Sequence, residues 1–142
     1  MRNKKQPIFI MEGVDCTGKT TLREALHRAT NFKYLIIDRG PASNYVYNKL
    51  FERRCSSNHR LDNAFKDMKE FNPIYIYCHC NNEIILKRMK VKHEMLFLQK
   101  SINKAMQYFA EYFCKTPIKV ISINTAIYSP QEAAKRVLSI LK

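Results

Sequence analysis

The residues best suited to chemistry are Gly13-Val14-Asp15-Cys16-Thr17-Gly18-Lys19-Thr20. They match G-x-x-x-x-G-K-[ST] at every fixed position. Glycines let such a loop curl until successive N–H groups point at phosphate oxygens. A helix opening near Lys19 adds the positive end of its dipole. The Lys19 ammonium reaches β- and γ-phosphates, and the Thr20 hydroxyl is a ligand for Mg²⁺. The chemistry implied is binding of a nucleoside triphosphate with Mg²⁺. The motif alone leaves the fate of the γ-phosphate open.

A second pair narrows that choice. Asp38-Arg39 closes the apolar run Tyr34-Leu35-Ile36-Ile37. Open α/β sheets hold their ligands at the carboxyl ends of strands, so both side chains are expected to face the phosphate loop. An Asp there orients Mg²⁺ or accepts a proton, and an Arg bridges donor and acceptor phosphates. A surface turn with a local ion pair is the plainer reading of the same residues.

These residues need elements to position them. Pro7 to Met11 is a short apolar run and reads as a buried strand, as does Tyr34 to Ile37. Leu22, Ala25, Leu26 and Ala29 recur at helical spacing after the loop. Ser43 is a candidate cap for a helix bearing Val46, Tyr47, Leu50 and Phe51. Leu61, Ala64, Phe65 and Met68 mark a short helix, which Asn72-Pro73 breaks. Ile74 to Cys78 and Ile118 to Ile123 are two more strands, with helices over Ile84 to Val91 and Leu98 to Phe113 between them. Ser129-Pro130-Gln131-Glu132 opens a last helix with a capping box. Strands alternating with helices predict an α/β class. The expected form is a P-loop NTPase-type three-layer fold, a parallel sheet of about four strands with helices on both faces.

Composition bounds the partners. With 142 residues the chain is expected to be one domain. Its 46% hydrophobic and 26% charged content argues against disorder. Neither a bilayer-length apolar run nor a signal-peptide core is present, so a cytoplasmic setting without membrane contact is expected. Five cysteines at irregular spacing fit free thiols there. A net charge of +13 attracts polyanions: nucleotides, nucleic acid or acidic lipid.

The stretch Glu12-Gly13-Val14-Asp15-Cys16-Thr17-Gly18-Lys19-Thr20-Thr21 resembles the phosphate loop of thymidylate kinases and their phage relatives. Asp38, Arg39, Ser43 and Tyr47 stand at the spacing of that family's next motif. The likeness covers most of the chain, loosely outside these two motifs. It implies that Lys19 and Thr20 hold phosphate and Mg²⁺, and that Asp15 reaches the acceptor's sugar hydroxyl. It further implies that Asp38 and Arg39 serve the transfer, and that Arg88 belongs to a lid over ATP. Lys90 and Lys92 are nearby substitutes for a second lid arginine. A homodimer is a further implication. The lid spans roughly residues 87–104, which carry six Lys/Arg and one acid, Glu94. A solvated helix face explains that run equally on composition.

One departure bears on the substrate. The family has another strand between the phosphate-loop helix and the Asp-Arg strand. Here about ten residues separate Ala29 from Asp38-Arg39, too few for a strand and its return helix. Arg53, Arg54 and Arg60 are candidates for an acceptor phosphate instead, and Tyr45, Tyr47 or Phe51 for its base. A basic helix end with packed aromatics is the alternative. The expected activity is ATP- and Mg²⁺-dependent phosphoryl transfer to a deoxynucleoside monophosphate. The rivals are a kinase of nucleic acid, at a 5′-hydroxyl or a hydroxymethylated base, a deoxynucleoside kinase, and a non-catalytic nucleotide-binding module. Cys78-His79-Cys80 with His93 has the residue types but not the spacing of a zinc site.

Overall fold

The computed structural model describes residues 4–54, 59–91 and 99–141. Its elements in chain order are β1 (Gln6–Glu12), α1 (Lys19–Ala29), β2 (Leu35–Asp38), α2 (Pro41–Leu50) and α3 (Arg60–Lys66). Then come β3 (Phe71–His79), α4 (Asn82–Val91), α5 (Ile102–Lys115), β4 (Lys119–Asn124) and α6 (Pro130–Ser139). The strands form one parallel sheet in the order β2-β1-β3-β4. β1 is followed by neighbours on opposite sides, so its carboxyl end lies at the switch point of the sheet, where α/β folds leave a crevice.

Helices cover both faces, as the alternation of elements predicts. Phe9, Met11, Ile74 and Ile76 point to one face and pack with Leu22 and Leu26 of α1 and Ala133, Ala134 and Val137 of α6. Ile10 and Tyr75 point to the other and pack with Val46 of α2, Ile85 and Met89 of α4, and Phe109 and Tyr112 of α5. The period-two alternation along β1 and β3 is what divides the core into two halves.

The structure corrects three local expectations. The β2 run is not fully buried: it is a sheet edge, with Leu35 62% exposed, Ile36 and Ile37 half-buried and Asp38 exposed. A short apolar run reads alike at the centre and at an edge, because only one of its sides needs covering. Ser43 does not cap α2. Gly40 occupies the cap position, Pro41 starts the helix, and Ser43 is buried inside its first turn. In α3 the apolar positions do not form the buried face. Leu61 is 57% exposed while Asp62 is fully buried, accepting from the Tyr75 hydroxyl at 2.6 Å and from the Thr116 hydroxyl. A satisfied polar group won the interior position there, which hydrophobic periodicity does not register.

Other expectations hold with small shifts. Asn72-Pro73 opens β3 instead of preceding it. Pairing with β4 begins only at Ile74, so the missing proline N–H costs no ladder bond on that side. Ser129 caps α6, accepting from the Glu132 N–H at 3.2 Å, with Pro130 in the first turn. Among the described residues no helix is long and apolar enough to cross a membrane.

Candidate active site

The loop after β1 has the conformation its glycines require. Gly13 sits at φ +137°, and a Cβ there would come within 2.3 Å of the Cys78 carbonyl on β3. Only glycine lets the loop lie this close to the neighbouring strand. Gly18 caps α1 in the left-handed region at φ 84°. Cys16 is also left-handed, at φ 64°. Thr17 is fully buried, and its hydroxyl donates to the Val14 carbonyl at 2.7 Å, closing the loop on itself.

Lys19 lies inside this curl, 8% exposed. Its ammonium donates to the Gly13 carbonyl at 3.0 Å and the Val14 carbonyl at 2.9 Å. Burial first, and the Arg39 charge second, push its pKa down to about 8. A cation held this way is preorganised for an anion that replaces the two weak carbonyl partners.

The end of β2 delivers the second group. The Arg39 N–H donates to the Met11 carbonyl at 3.0 Å, which ties the turn to β1. Arg39 itself is at φ 64°, a conformation uncommon for a residue with a Cβ. Its guanidinium donates to the Gly13 carbonyl at 3.2 Å and to the Ser43 hydroxyl at 3.1 Å, and forms an ion pair with Asp15. The Tyr47 ring lies 5.1 Å beneath it. Asp38 pairs with Arg23 of α1 at 3.2 Å. Thus Asp15, Arg39, Ser43 and Tyr47 form one connected group.

Glu12 holds this turn in place, a part sequence reasoning did not assign. It is fully buried, and one carboxyl oxygen accepts the N–H groups of Gly40 at 2.7 Å and Ser43 at 3.2 Å. The other accepts the Ser43 hydroxyl. Burial pushes its pKa up, and the bonds from Ser43 and Gly40 act against that. The available signal was a carboxylate ending an otherwise apolar strand, which needs buried partners.

Two hollows meet at the loop. One of about 240 Å³ is lined by Asp15, Lys19, Thr20, Asp38 and Arg39, among others. Its hydroxyl and carboxylate oxygens are the hard donors that suit Mg²⁺, and its cations suit phosphate. The second, about 340 Å³, lies between Cys16, Gly18 and Thr21 on one side and Thr125, Tyr128 and Pro130 on the other. Thr125 follows β4 directly and approaches Gly18, a contact the sequence reading also missed. Arg88 of α4 borders this hollow and donates to the Cys16 carbonyl at 2.9 Å.

Other candidates lie elsewhere. Arg53 and Arg54 are exposed beyond the far end of α2, roughly 15 Å along the helix from its start. Arg53 lies over the Phe51 ring, 5.0 Å from its centre. Tyr45 packs against Tyr112. Arg60 opens α3 and is exposed. Lys92, His93 and the rest of residues 92–98 of the lid stretch fall outside the described residues. Among those described, no group of three His, Cys, Asp or Glu is arranged to hold a metal, Cys78 and Cys80 included.

No protein-family model matches the chain. It is 24% identical over 126 residues to the SPbeta prophage-derived uncharacterized protein YorR of Bacillus subtilis strain 168. That match covers 89% of this chain and 76% of that protein. The crystal structure of YorR in complex with phosphorylated GDP superposes with a TM-score of 0.75 at 22% identity, covering 94% of this chain and 95% of that one. Deoxyadenosine kinase from M. mycoides with bound dCTP gives 0.66 at 10% identity, covering 94% and 98%. Shikimate kinase from Bacteroides thetaiotaomicron gives 0.54 at 14%, covering 96% and 98%. The last two are named as kinases, and this chain shares their fold.

Proposed function

We propose that this chain is a nucleotide kinase that transfers the γ-phosphoryl group of ATP to a deoxynucleoside monophosphate. The observation that carries the reading is the shared hollow. The ammonium of Lys19 and the guanidinium of Arg39 converge on the Gly13 carbonyl from two different strand ends. One cation serves the donor phosphates and the other the group that receives.

In this reading an oxygen of the acceptor phosphate attacks the γ-phosphorus. The bond from that phosphorus to the β,γ-bridging oxygen breaks, leaving ADP and a deoxynucleoside diphosphate. Thr20 and Asp38 would hold Mg²⁺, which when bound offsets charge on the phosphate oxygens. Lys19 and the loop N–H groups hold the donor. Arg39, released from Asp15, orients the acceptor phosphate, and Asp15 is then free for the sugar hydroxyl. Ser43 and Tyr47 keep the guanidinium in place. Arg88, with the stretch 87–104, closes over the donor, and the whole chain acts as one kinase domain.

The carboxylates favour a phosphate acceptor over a hydroxyl. In this reading Asp38 turns from Arg23 to Mg²⁺ and Asp15 from Arg39 to the sugar hydroxyl, while Glu12 is buried with both oxygens occupied, so none is left as a base. A hydroxyl acceptor needs a free general base, whereas a phosphate monoester is already largely ionised near neutral pH.

The test is radiolabelled ATP offered with deoxynucleosides, their monophosphates, and oligonucleotides with and without modified bases. Label should appear in a deoxynucleoside diphosphate. Lys19→Ala should lower the rate by at least about a hundredfold with an unchanged circular dichroism spectrum. Label on a nucleoside or an oligonucleotide would overturn the acceptor assignment. Binding of ATP without transfer to any acceptor would overturn the activity.

A further inference from the structure

The largest hollow among those described here is not at the phosphate loop. It lies at the opposite rim of the sheet and measures about 420 Å³. Lys4 and Lys5 enter it from the segment before β1, Lys33 from the turn before β2, and Lys119 from the start of β4. Among the described residues no Asp or Glu lines it. Strand β1 alone separates it from Gly13 by about 20 Å.

Four lysines from three chain segments border this one concavity; Lys4 Nζ donates to the Leu141 carbonyl at 3.4 Å, and like charges gathered this way favour an anion between them. The walls decide what kind of anion. Pro7, Ile140 and Leu141 supply apolar surface beside the lysines. A flat or compact inorganic anion has no use for that surface. Single-stranded nucleic acid needs free ring faces for its bases. Here the lining ring is Tyr34, which meets Phe9 edge-on at 5.8 Å and is covered by Lys33, with Nζ 5.4 Å from the ring centre. A hollow of this volume falls in the range of small-ligand sites.

We propose that this hollow is a second, non-catalytic nucleotide site. The lysines take the phosphates of a nucleoside polyphosphate and the apolar walls take its base. The assignment stands apart from the proposed activity, because it uses none of the phosphate-loop residues.

The experiment is photoaffinity labelling of the full chain with an azido-adenine triphosphate, followed by peptide mapping. Adducts should form on the segments carrying Tyr34 and Ile140 as well as near the phosphate loop. Lys33→Glu/Lys119→Glu should reduce the far adducts at least about tenfold and leave the loop adduct in place. Lys4→Gln/Lys5→Gln, a milder change, should reduce them severalfold, and retention of the loop adduct shows that either variant is folded. Labels confined to the phosphate loop, or far labels unchanged in both variants, would overturn the site. Tripolyphosphate should displace the far label only in about tenfold excess over nucleotide. Displacement at equal concentration would show that the walls take no part, and would overturn the nucleotide assignment in favour of an inorganic anion.

Discussion

Lys19 carries the sharpest consequence at the scale of single residues. Its pKa lies at about 8, depressed first by burial and then by Arg39. Below that pH it is a cation ready for phosphate; above it the free enzyme loses that charge. We expect kcat/KM for ATP to hold level up to about pH 8 and then to fall about tenfold per pH unit. Bound phosphates stabilise the ammonium, so kcat should fall only at higher pH. A kcat/KM profile flat to about pH 10 would remove Lys19 from donor binding. Glu12 makes a different prediction. Glu12→Ala leaves the N–H groups of Gly40 and Ser43 without partners in a buried place and should cost about 2 kcal/mol in urea denaturation, with loss of turnover. Glu12→Gln should restore most of both, because the amide oxygen accepts two N–H bonds and its nitrogen donates to Ser43. If the two variants behave alike, Glu12 does not hold the Arg39 turn. Of these roles, Lys19 was legible in the motif. The role of Glu12 was not, since its partners Gly40 and Ser43 lie 28 and 31 residues away in the chain.

At the scale of elements, what matters is how closely the loop after β1 packs on its neighbours. Gly13→Ala would drive a methyl into the Cys78 carbonyl and should cost about 3 kcal/mol or more. Gly18→Ala meets only Thr125 at 3.5 Å, so its cost is the left-handed backbone alone, about 1 kcal/mol. Chemical denaturation of the two variants checks the order; equal costs would mean that the loop and β3 are not in contact. The strands themselves were readable, because four short apolar runs bounded by polar residues admit little else. Which strand became an edge was not, because β2 and β3 carry similar β-formers and only pairing separates them. The face of α3 was misleading for the reason seen at Asp62. A carboxylate bonded to two hydroxyls is at home in the interior, and no apolar period announces it.

At the scale of the whole molecule, the sheet has a hollow at each rim. The carboxyl ends of the strands hold the phosphate loop, Arg39 and Thr125, and the amino ends hold the lysine hollow. The net charge of +13 was legible in the sequence, but that Lys4, Lys5, Lys33 and Lys119 meet at one rim needed the strand register. The chain also economises on its edge. Two left-handed residues, Asn31 and Phe32, take the chain from α1 into β2. Among the described residues β2 is paired on one side only, with its Leu35 exposed and Phe32 70% exposed at the turn. An open rung of this kind invites stacking of one molecule on the next when the solution is crowded. Leu35→Lys should therefore raise the concentration at which light scattering reports self-association, at an unchanged turnover rate. Self-association of this small protein is then expected to depend on the margin of the sheet as well as on its surface charge.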